Sequence, residues 1–311
     1  MATMLSMVAM LSTSSALQTS QPPPGQRLAW DADDAKRIAS LEATGRKTEG
    51  KLAVLWTPAG ALDDAESAKL IERVDKGLAA LRRVIGTHPW QAVRDQRIRY
   101  YISDDPFVSH SVNGTEVVLM PLARLRDGRA PFFHEAAHAL LGRALPPGAG
   151  VLDPASRDRL TATRPMWLLE GIAEYFGKSA AQLAGVVDGD PFDSGGLEGM
   201  DRTCAQRSAV RPGERVLPYI GALGAPAELF TTERPKYAPI FYPCSFSFTR
   251  HVAKLIGDQE LLGLMDLQSR VDRNTTPVGI SADGVLPRIE QLSGKTRVQI
   301  KAYWFRSLPN Q

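Results

Sequence analysis

The sequence predicts an α+β protein, with a small mixed or antiparallel sheet in its first half and mostly helices in its last third. Three observations support this prediction. Short β-branched segments such as "KLAVLWTP" and "RIRYYISD" fall between residues 51 and 121, and one strongly periodic helix separates them. Segments after residue 236 show helical apolar spacing instead. A chain of 311 residues is long enough to bury a sizeable core, as one large domain or two modest ones.

Composition and charge narrow the classes of partner. The formal net charge is only +3, and Lys and Arg are interleaved with Asp and Glu rather than gathered into blocks. We therefore expect no nucleic-acid partner and no membrane-surface binding. No segment beyond the N-terminal region approaches the roughly 18 unbroken apolar residues that span a bilayer, so we expect no stable membrane insertion. The sequence leaves the oligomeric state open.

The first 26 residues contain no charged side chain, and "MLSMVAMLSTSSALQ" precedes "TSQPPPGQ". This pattern resembles a short apolar core, a small-residue cleavage site and a Pro-rich exit, which predicts a signal peptide and export to the periplasm or beyond the cell. A disordered leader is the alternative. Residues 27–50 are predicted to be a linker. Cys204 and Cys244 are the only cysteines; in an exported protein they would form one disulfide, and in the cytosol they would be free thiols.

Order is predicted to begin at residue 51, in a subdomain that extends to residue 186. "KLAVLWTP" is typical of a buried strand that ends at Pro58. A helix follows, because Asp63 and Glu66 form a capping-box-like start and Gly86 provides a stop. Its apolar face repeats at helical spacing through Leu70, Ile71, Val74, Leu78, Leu81 and Ile85.

A second strand and a hairpin complete the predicted sheet. "RIRYYISD" predicts the strand, and "FVSHSVNGTEVVLMP" predicts a hairpin that turns at Asn113-Gly114. The hairpin delivers its last strand just upstream of a histidine-containing helix. Residues 187–236 are rich in Gly, Pro and Asp and predict a long loop region, whereas residues 237–311 predict a helical subdomain.

The segment "PFFHEAAHAL" contains two of the five histidines of the chain. His134 and His138 are four residues apart, so in a helix about 40° separates them around the axis and both rings leave the same face. Two neutral imidazoles on one face can bind one zinc ion, and Glu135 between them can accept a proton from water at the metal. The alternative is that one histidine packs in the core while the other binds a carbonyl group.

A catalytic zinc site of this type requires a third protein ligand. Leu141 and Ala144 stand where the H-E-x-x-H-x-x-G-x-x-H type requires Gly and His, which excludes that subclass. The other three histidines have no supporting context. "WLLEGIAEYFG" offers two carboxylates instead, Glu170 and Glu174, one helical turn apart on an otherwise apolar face.

"HEAAH" followed after thirty-odd residues by "WLLEGIAEYF" resembles the gluzincin zinc metallopeptidases, the peptidase MA-like group. The resemblance covers roughly residues 50–310, and only these two segments are diagnostic. It implies a zincin-like fold with an active-site helix, one Zn²⁺ per chain, and Glu170 as the third ligand. It also implies that Glu174 bonds to a ligand histidine and fixes its orientation; a salt bridge to Lys or Arg is the alternative for Glu174.

The resemblance further implies a Tyr or His that donates to the oxyanion of the reaction. Tyr242 is the first candidate, because it opens a later helix and lies two residues from Cys244. Tyr237 and His251 are rivals, and Tyr242 could instead be an interface tyrosine without a catalytic role.

Taken together, these patterns predict a zinc-dependent peptidase that acts on a peptide or protein substrate. A non-hydrolytic zinc-containing protein, exported to bind peptides or cell-wall material, is the alternative from another class. A metal-free helical structural protein is a third possibility. No Gly-rich segment indicates a phosphate, nucleotide or flavin site.

Overall fold

The computed structural model describes residues 24–86, 96–112, 115–141, 166–190, 196–209, 238–266 and 282–309 of the 311-residue chain. Within these ranges it has the predicted α+β fold, with a small mixed sheet followed by a mostly helical C-terminal part. Of the residues named from the sequence, Asn113, Gly114, Ala144 and Tyr237 lie outside the described residues.

The sheet has five strands in the order β1-β2-β3-β5-β4. Both outer pairs are antiparallel and both inner pairs are parallel. The predicted hairpin is confirmed as the antiparallel pair β4 and β5, although β4 is only two residues long. The strands are β1 (Arg46–Glu49), β2 (Ala53–Thr57), β3 (Ile98–Ser103), β4 (His110–Ser111) and β5 (Val117–Pro121).

Both faces of the sheet are covered, and the alternation of side chains along each strand explains how. In β3, Tyr100 lies in the main core, whereas its neighbour Tyr101 lies in a smaller cluster with Leu41. Successive strand side chains point to opposite faces, so each apolar residue of β3 serves one layer. Four of its six residues, Ile98, Tyr100, Tyr101 and Ile102, are accordingly apolar or aromatic.

Ten helices complete the described part of the chain. Helix α1, which contributes Leu41, packs on one face of the sheet, and helices α2 and α4 pack on the other. The helices are α1 (Pro24–Thr44), α2 (Asp64–Ile85), α3 (Leu122–Arg126), α4 (Phe132–Leu141), α5 (Met166–Ala184), α6 (Leu197–Ala209), α7 (Ala238–Ile256), α8 (Asp258–Asp266), α9 (Ala282–Ser293) and α10 (Arg297–Ser307).

The prediction for α2 is confirmed at both ends. The Asp63 side chain accepts a hydrogen bond from the Glu66 backbone at 2.8 Å, and the Glu66 side chain accepts one from the Asp63 backbone at 2.8 Å. Gly86 ends the helix with φ of +71°, a conformation that is strained for residues with a Cβ atom.

Two predictions for irregular segments are wrong. Residues 27–50 are not a linker, because α1 and β1 occupy most of them and β1 is an edge strand of the sheet. Residues 187–236 are not a loop throughout, because α6 forms at Leu197–Ala209. In both segments charged residues dilute the apolar pattern, and tertiary packing supplies the order that local periodicity does not indicate.

Helix α7 contains Pro243, which the surrounding elements accommodate. Proline has no N–H, so the carbonyl four residues earlier, that of Pro239, loses its helical donor. The Arg207 guanidinium of α6 donates to that carbonyl. One position beyond Pro243, Cys244 forms a disulfide with Cys204 of α6. Two tertiary links therefore fasten α6 to α7 beside the proline.

The C-terminal helices α8, α9 and α10 match the predicted helical segments. Trp304 of α10 is buried and donates a hydrogen bond to Ser247 of α7 at 2.9 Å, which joins the end of the chain to the core. None of the helices in the described ranges combines the length and apolarity that a bilayer-spanning segment requires.

Candidate metal centre

Helix α4 carries the two histidines of the sequence motif on one face. Their Nε2 atoms lie 3.1 Å apart, and their rings meet edge to face with centroids 4.7 Å apart. Almost every residue of α4 is buried, including Glu135. The helix forms beneath the sheet because its flanks are apolar: Phe132 packs edge to face against Tyr100, whose hydroxyl donates to the Phe132 carbonyl at 3.1 Å.

Helix α5 brings the third candidate ligand to the histidines. Oε2 of Glu170 lies 3.3 Å from Nε2 of His134 and 3.3 Å from Nε2 of His138. Glu170 lies 32 positions after His138 in the chain, yet the ligand atoms of all three residues lie within 4.8 Å of one another. The structure therefore brings together the three residues that the sequence indicates as ligands.

A glycine permits this close approach of the two helices. A Cβ atom on Gly177 of α5 would lie 2.9 Å from the backbone nitrogen of His134 and 3.1 Å from the carbonyl carbon of Phe133. Backbone atoms cannot move aside as the tip of a flexible side chain can. Only glycine at position 177 lets α5 lie against α4 at this separation.

The donor set fits a zinc ion. Zinc takes imidazole nitrogens at about 2.0–2.1 Å and carboxylate oxygens at about 2.0–2.2 Å, and tetrahedral angles then hold the ligand atoms about 3.3–3.5 Å apart. The three observed separations are 3.1, 3.3 and 3.3 Å. Two nitrogens and one oxygen at this spacing leave one tetrahedral corner for water or substrate.

The electrostatics of the cluster favour a cation. Burial opposes the charge on His134, but the neighbouring carboxylates, Glu174 first, outweigh it and hold the pKa of His134 well above its usual range. Burial also opposes the charge on Glu170, but His138 and His134 outweigh it and lower the pKa of Glu170. Burial raises the pKa of Glu135, and the two histidines partly offset that rise. Positive charge is thus stabilised where the ligand atoms meet.

Glu174 lies within ion-pair distance of both partners that the sequence offered as alternatives, a ligand histidine and a lysine. Its Oε1 lies 3.2 Å from Nδ1 of His134, within ion-pair distance although not aligned for a hydrogen bond. Its Oε2 lies 3.7 Å from Nζ of Lys178, one turn further along α5. The carboxylate therefore stands between the ring and a buried cation.

Two candidates for the oxyanion donor, Tyr242 and His251, lie within the described residues. The ring of Tyr242 on α7 is buried, with its centroid 6.0 Å from that of His134. Burial, together with the charges of Glu170 and Glu135, raises the pKa of Tyr242 well above its usual value. Burial, together with the charge of Lys254, lowers the pKa of His251, and the backbone of Ile300 in α10 partly opposes this.

The sequence interpretation missed two ionisable residues behind the ligands, the buried Lys178 and the half-buried Asp188. The Asp188 side chain accepts a hydrogen bond from the backbone of Phe133 at 3.2 Å, at the start of α4. Burial raises the pKa of Asp188 to about 7, although Lys178 and the Phe133 N–H oppose the rise. The spacing of Lys178 from Glu174 was a usable signal, whereas Asp188 stands in a Gly- and Asp-rich segment that indicates only a loop.

The chain matches no protein-family model, and no curated protein is significantly similar to it. It is similar to the solved structure of a mutant of a conserved protein of unknown function from Bacillus anthracis str. Ames, with 12% identity, a TM-score of 0.46, and coverage of 90% of this chain and 52% of that one. It is also similar to a mutant M1 zinc metallopeptidase from Deinococcus radiodurans bound to a Tyr-Ser-Ala substrate, with 17% identity, a TM-score of 0.42, and coverage of 86% and 52%. The chain spans about half the length of these structures.

Proposed function

We propose that the protein is a zinc-dependent peptidase with one metal ion per chain. The observation that supports this proposal most directly is the convergence of two imidazole nitrogens and one carboxylate oxygen, at 3.1–3.3 Å, beside a buried glutamate. Two histidines with a purely structural role would not require a carboxylate close to both Nε2 atoms, as Glu170 is, or a glutamate next to them in the helix, as Glu135 is. His134, His138 and Glu170 would hold the zinc.

Zinc, when bound, supplies a Lewis acid that polarises the substrate carbonyl and lowers the pKa of water toward about 7. Glu135 accepts the proton of the attacking water as the new carbon–oxygen bond forms, and then gives it to the amine as the peptide carbon–nitrogen bond breaks. The raised pKa of Glu135 suits both proton transfers. The products are a carboxylic acid and an amine.

Tyr242 is the proposed donor to the carbonyl oxygen as that atom gains negative charge. Its hydroxyl remains protonated at neutral pH, because burial and the glutamate charges raise its pKa. A neutral phenol can donate a hydrogen bond that strengthens as charge develops on the acceptor. His251 lies against α10 and is the weaker candidate.

We also propose export of the protein. The disulfide between Cys204 and Cys244 supports this proposal, because disulfides persist in oxidising compartments and are rare in the cytosol. The compartment can be measured by fractionating cells that express the full chain.

Glu135→Gln and Tyr242→Phe test the mechanism. The purified chain is incubated with a mixture of peptides of diverse sequence, with and without a chelator, and zinc is measured by elemental analysis. We expect wild-type cleavage that the chelator abolishes, near-complete loss of cleavage in Glu135→Gln with zinc retained, and a loss of about 10²-fold in kcat for Tyr242→Phe. Zinc binding without cleavage of any peptide would favour the non-hydrolytic binding protein, and wild-type turnover in Glu135→Gln would exclude this residue as the base.

A further inference from the structure

A buried group of charged side chains lies behind the metal centre, on the side away from the ligand atoms. Nζ of Lys178 lies 3.7 Å from Oε2 of Glu174 and 3.4 Å from Oδ2 of Asp190. Lys178 and Glu174 are only 8% and 5% exposed. Burial by itself would lower the pKa of Lys178, but the negative charges of Glu174, Asp190 and Asp188 outweigh burial and raise this pKa. The lysine therefore carries its charge inside the protein.

Such a group is a poor way to stabilise a fold. Each buried ion loses its hydration, and replacing a buried ion pair by apolar residues of similar size is often neutral or stabilising. The two side chains stand one turn apart on α5, between otherwise apolar residues. Packing alone would favour Leu or Met at positions 174 and 178. The contacts of Glu174 with His134 and of Lys178 with Asp190 therefore explain these charged residues better than packing does.

Asp190 belongs to a short segment, residues 186–190, that packs against the start of α4 and is fixed there by its neighbours Asp188 and Gly189. The backbone N–H of Gly189 donates to the Ala130 carbonyl at 3.0 Å, and Asp188 accepts from the Phe133 backbone at 3.2 Å. A Cβ atom on Gly189 would lie 2.3 Å from the Ala130 backbone, so the segment lies directly against the start of α4. Lys178 thus connects α5 to a segment fixed on the helix that carries the histidines.

The two oxygens of Glu174 face two different partners. Oε1 faces Nδ1 of His134 at 3.2 Å, and Oε2 faces Lys178. Without a charge at position 178, the carboxylate could rotate, because the terminal torsion of glutamate is broad. A rotated carboxylate would no longer restrain the imidazole through Nδ1, and the direction of Nε2 toward the metal would be less fixed.

We propose that Lys178 is a positioning residue for zinc: it holds the Glu174 carboxylate in the orientation that fixes the ring of His134. This inference rests on the metal centre of the proposed function but not on peptidase activity. Its test therefore measures metal affinity.

The test compares Lys178→Met with Lys178→Arg and with a matched control, Lys76→Met. Lys76 also pairs with a glutamate four residues earlier, Glu72, at 2.8 Å, but on an exposed face of α2. The Kd for Zn²⁺ is measured by competition with a chromophoric chelator, and the melting temperature of the metal-free protein is measured in parallel. We expect Lys178→Met to weaken zinc binding about tenfold, Lys178→Arg to restore most of it, and Lys76→Met to change nothing.

The thermal measurement separates positioning from a structural role. Methionine fills the lysine volume without a buried charge, so we expect the metal-free melting temperature of Lys178→Met to stay equal or rise. An unchanged zinc Kd, or a weaker Kd that merely follows a fall in melting temperature, would overturn the proposal. If Lys178→Met does not fold, Asp190→Asn removes the negative charge of the second partner of Nζ, and an unchanged zinc Kd in that variant would overturn the proposal equally.

A double variant tests the route through Glu174. In a Glu174→Gln background, Lys178→Met should have little further effect on zinc affinity, because the carboxylate that the lysine orients is already gone. Full additivity of the two effects would contradict the proposal. Co²⁺ substituted for zinc gives a visible spectrum that should change in Lys178→Met and be restored in Lys178→Arg. A wild-type chain that binds zinc but cleaves no peptide would refute the proposed function and leave this result standing.

Discussion

Helices α2 and α4 pack against each other on the same side of the sheet, but they are built by different means. Helix α2 closes its own N-terminus with Asp63 and Glu66, which are neighbours in sequence, and its Lys76–Glu72 pair is exposed. Helix α4 takes a tertiary contact at its N-terminus from Asp188, 55 residues further on, and its charged residues are buried.

Helix α2 is part of the structural framework, whereas α4 and α5 carry the candidate metal centre, and the placement of their charged residues differs accordingly. The exposed Lys76 and Glu72 charges on α2 are hydrated and contribute little to stability, so these two side chains can vary with little consequence for neighbouring elements. Buried charge on α4 and α5 requires a partner for each group, and most of those partners come from elsewhere in the chain. Substitutions on the two sides should therefore affect different quantities.

The largest expected effect is on zinc affinity. Glu170→Gln removes the charge of the proposed third ligand while keeping its size, and Glu72→Gln makes the same change on the exposed face of α2. We expect Glu170→Gln to weaken zinc binding by more than about 100-fold, since loss of a ligand should exceed the 10–100-fold typical of residues behind the ligands. Glu72→Gln should bind zinc like the wild type.

Isothermal titration with Zn²⁺ gives both affinities, with the helical content of each variant checked by circular dichroism. Equal affinity in Glu170→Gln and the wild type would remove this residue from the ligand set. Equal weakening in both variants would show that zinc binds through general negative charge and not at the proposed centre.

The next effect concerns the contact between α5 and α4. Gly177→Ala places a methyl group 2.9 Å from the backbone of His134, and we expect it to lower the free energy of unfolding by about 1–3 kcal/mol and to weaken zinc binding. Gly263→Ala in α8 is the matched control, because nothing lies within 4 Å of its Cβ position. That change should be neutral or stabilise the protein by up to about 1 kcal/mol, because alanine favours helix.

Chemical denaturation measures both free energies. Similar values for the two alanine variants would mean that α5 can move away from α4 at no cost. The precise approach of these helices would then not be a requirement of the site.

The comparison also shows how far the sequence could predict the molecule. Both ends of α2 could be predicted from the sequence because its N-cap, its apolar face and its terminating glycine are all local sequence patterns. The histidine pair could be predicted for the same reason, because residues four positions apart in a helix lie on the same face. Helix α1 was missed because its stability depends on covering the sheet, through Leu41 against Tyr101 and Leu119, and its own pattern is mostly polar.

The more distant partners of the buried groups, Asp188 and Asp190, could not be predicted from local sequence patterns. The likeness of "WLLEGIAEYF" to a known family indicated Glu170, but no periodicity indicates that a segment after α5 returns to the start of α4. Asp188 and Asp190 come to that place because the backbone of Gly189 can touch Ala130, a contact that depends on the fold as a whole. The motif and the family resemblance therefore predicted the ligands and Glu174, but not Asp188 and Asp190, which contact the start of α4 and Lys178.

The smallest expected effect is a pH dependence at the start of α4. Burial raises the pKa of Asp188 to about 7 against an ordinary 3.8, and Lys178, the Phe133 N–H and His134 oppose this rise while Glu174 adds to it. The folded state therefore holds this proton at pH values where the unfolded chain has released it, so the stability contributed by Asp188 falls as pH rises through 7. From pH 6 to pH 8 the fall should be about 1.4 kcal/mol.

Asp188→Asn keeps an acceptor for the Phe133 N–H but cannot titrate. In metal-free protein, where no dication adds its own charge, the free energy of unfolding of the wild type should fall relative to Asp188→Asn between pH 6 and pH 8. Asp63→Asn on α2 is the matched control, because asparagine is also a good N-cap, and it should follow the wild type at both pH values. Parallel curves for wild type and Asp188→Asn would mean that this carboxylate is ionised throughout, with Lys178 neutralising it fully. A fall confined to the wild type and Asp63→Asn would instead show that ionisation of the half-buried Asp188 destabilises the start of helix α4. The N-terminus of α2 avoids this cost because its carboxylates, Asp63 and Glu66, are exposed to water.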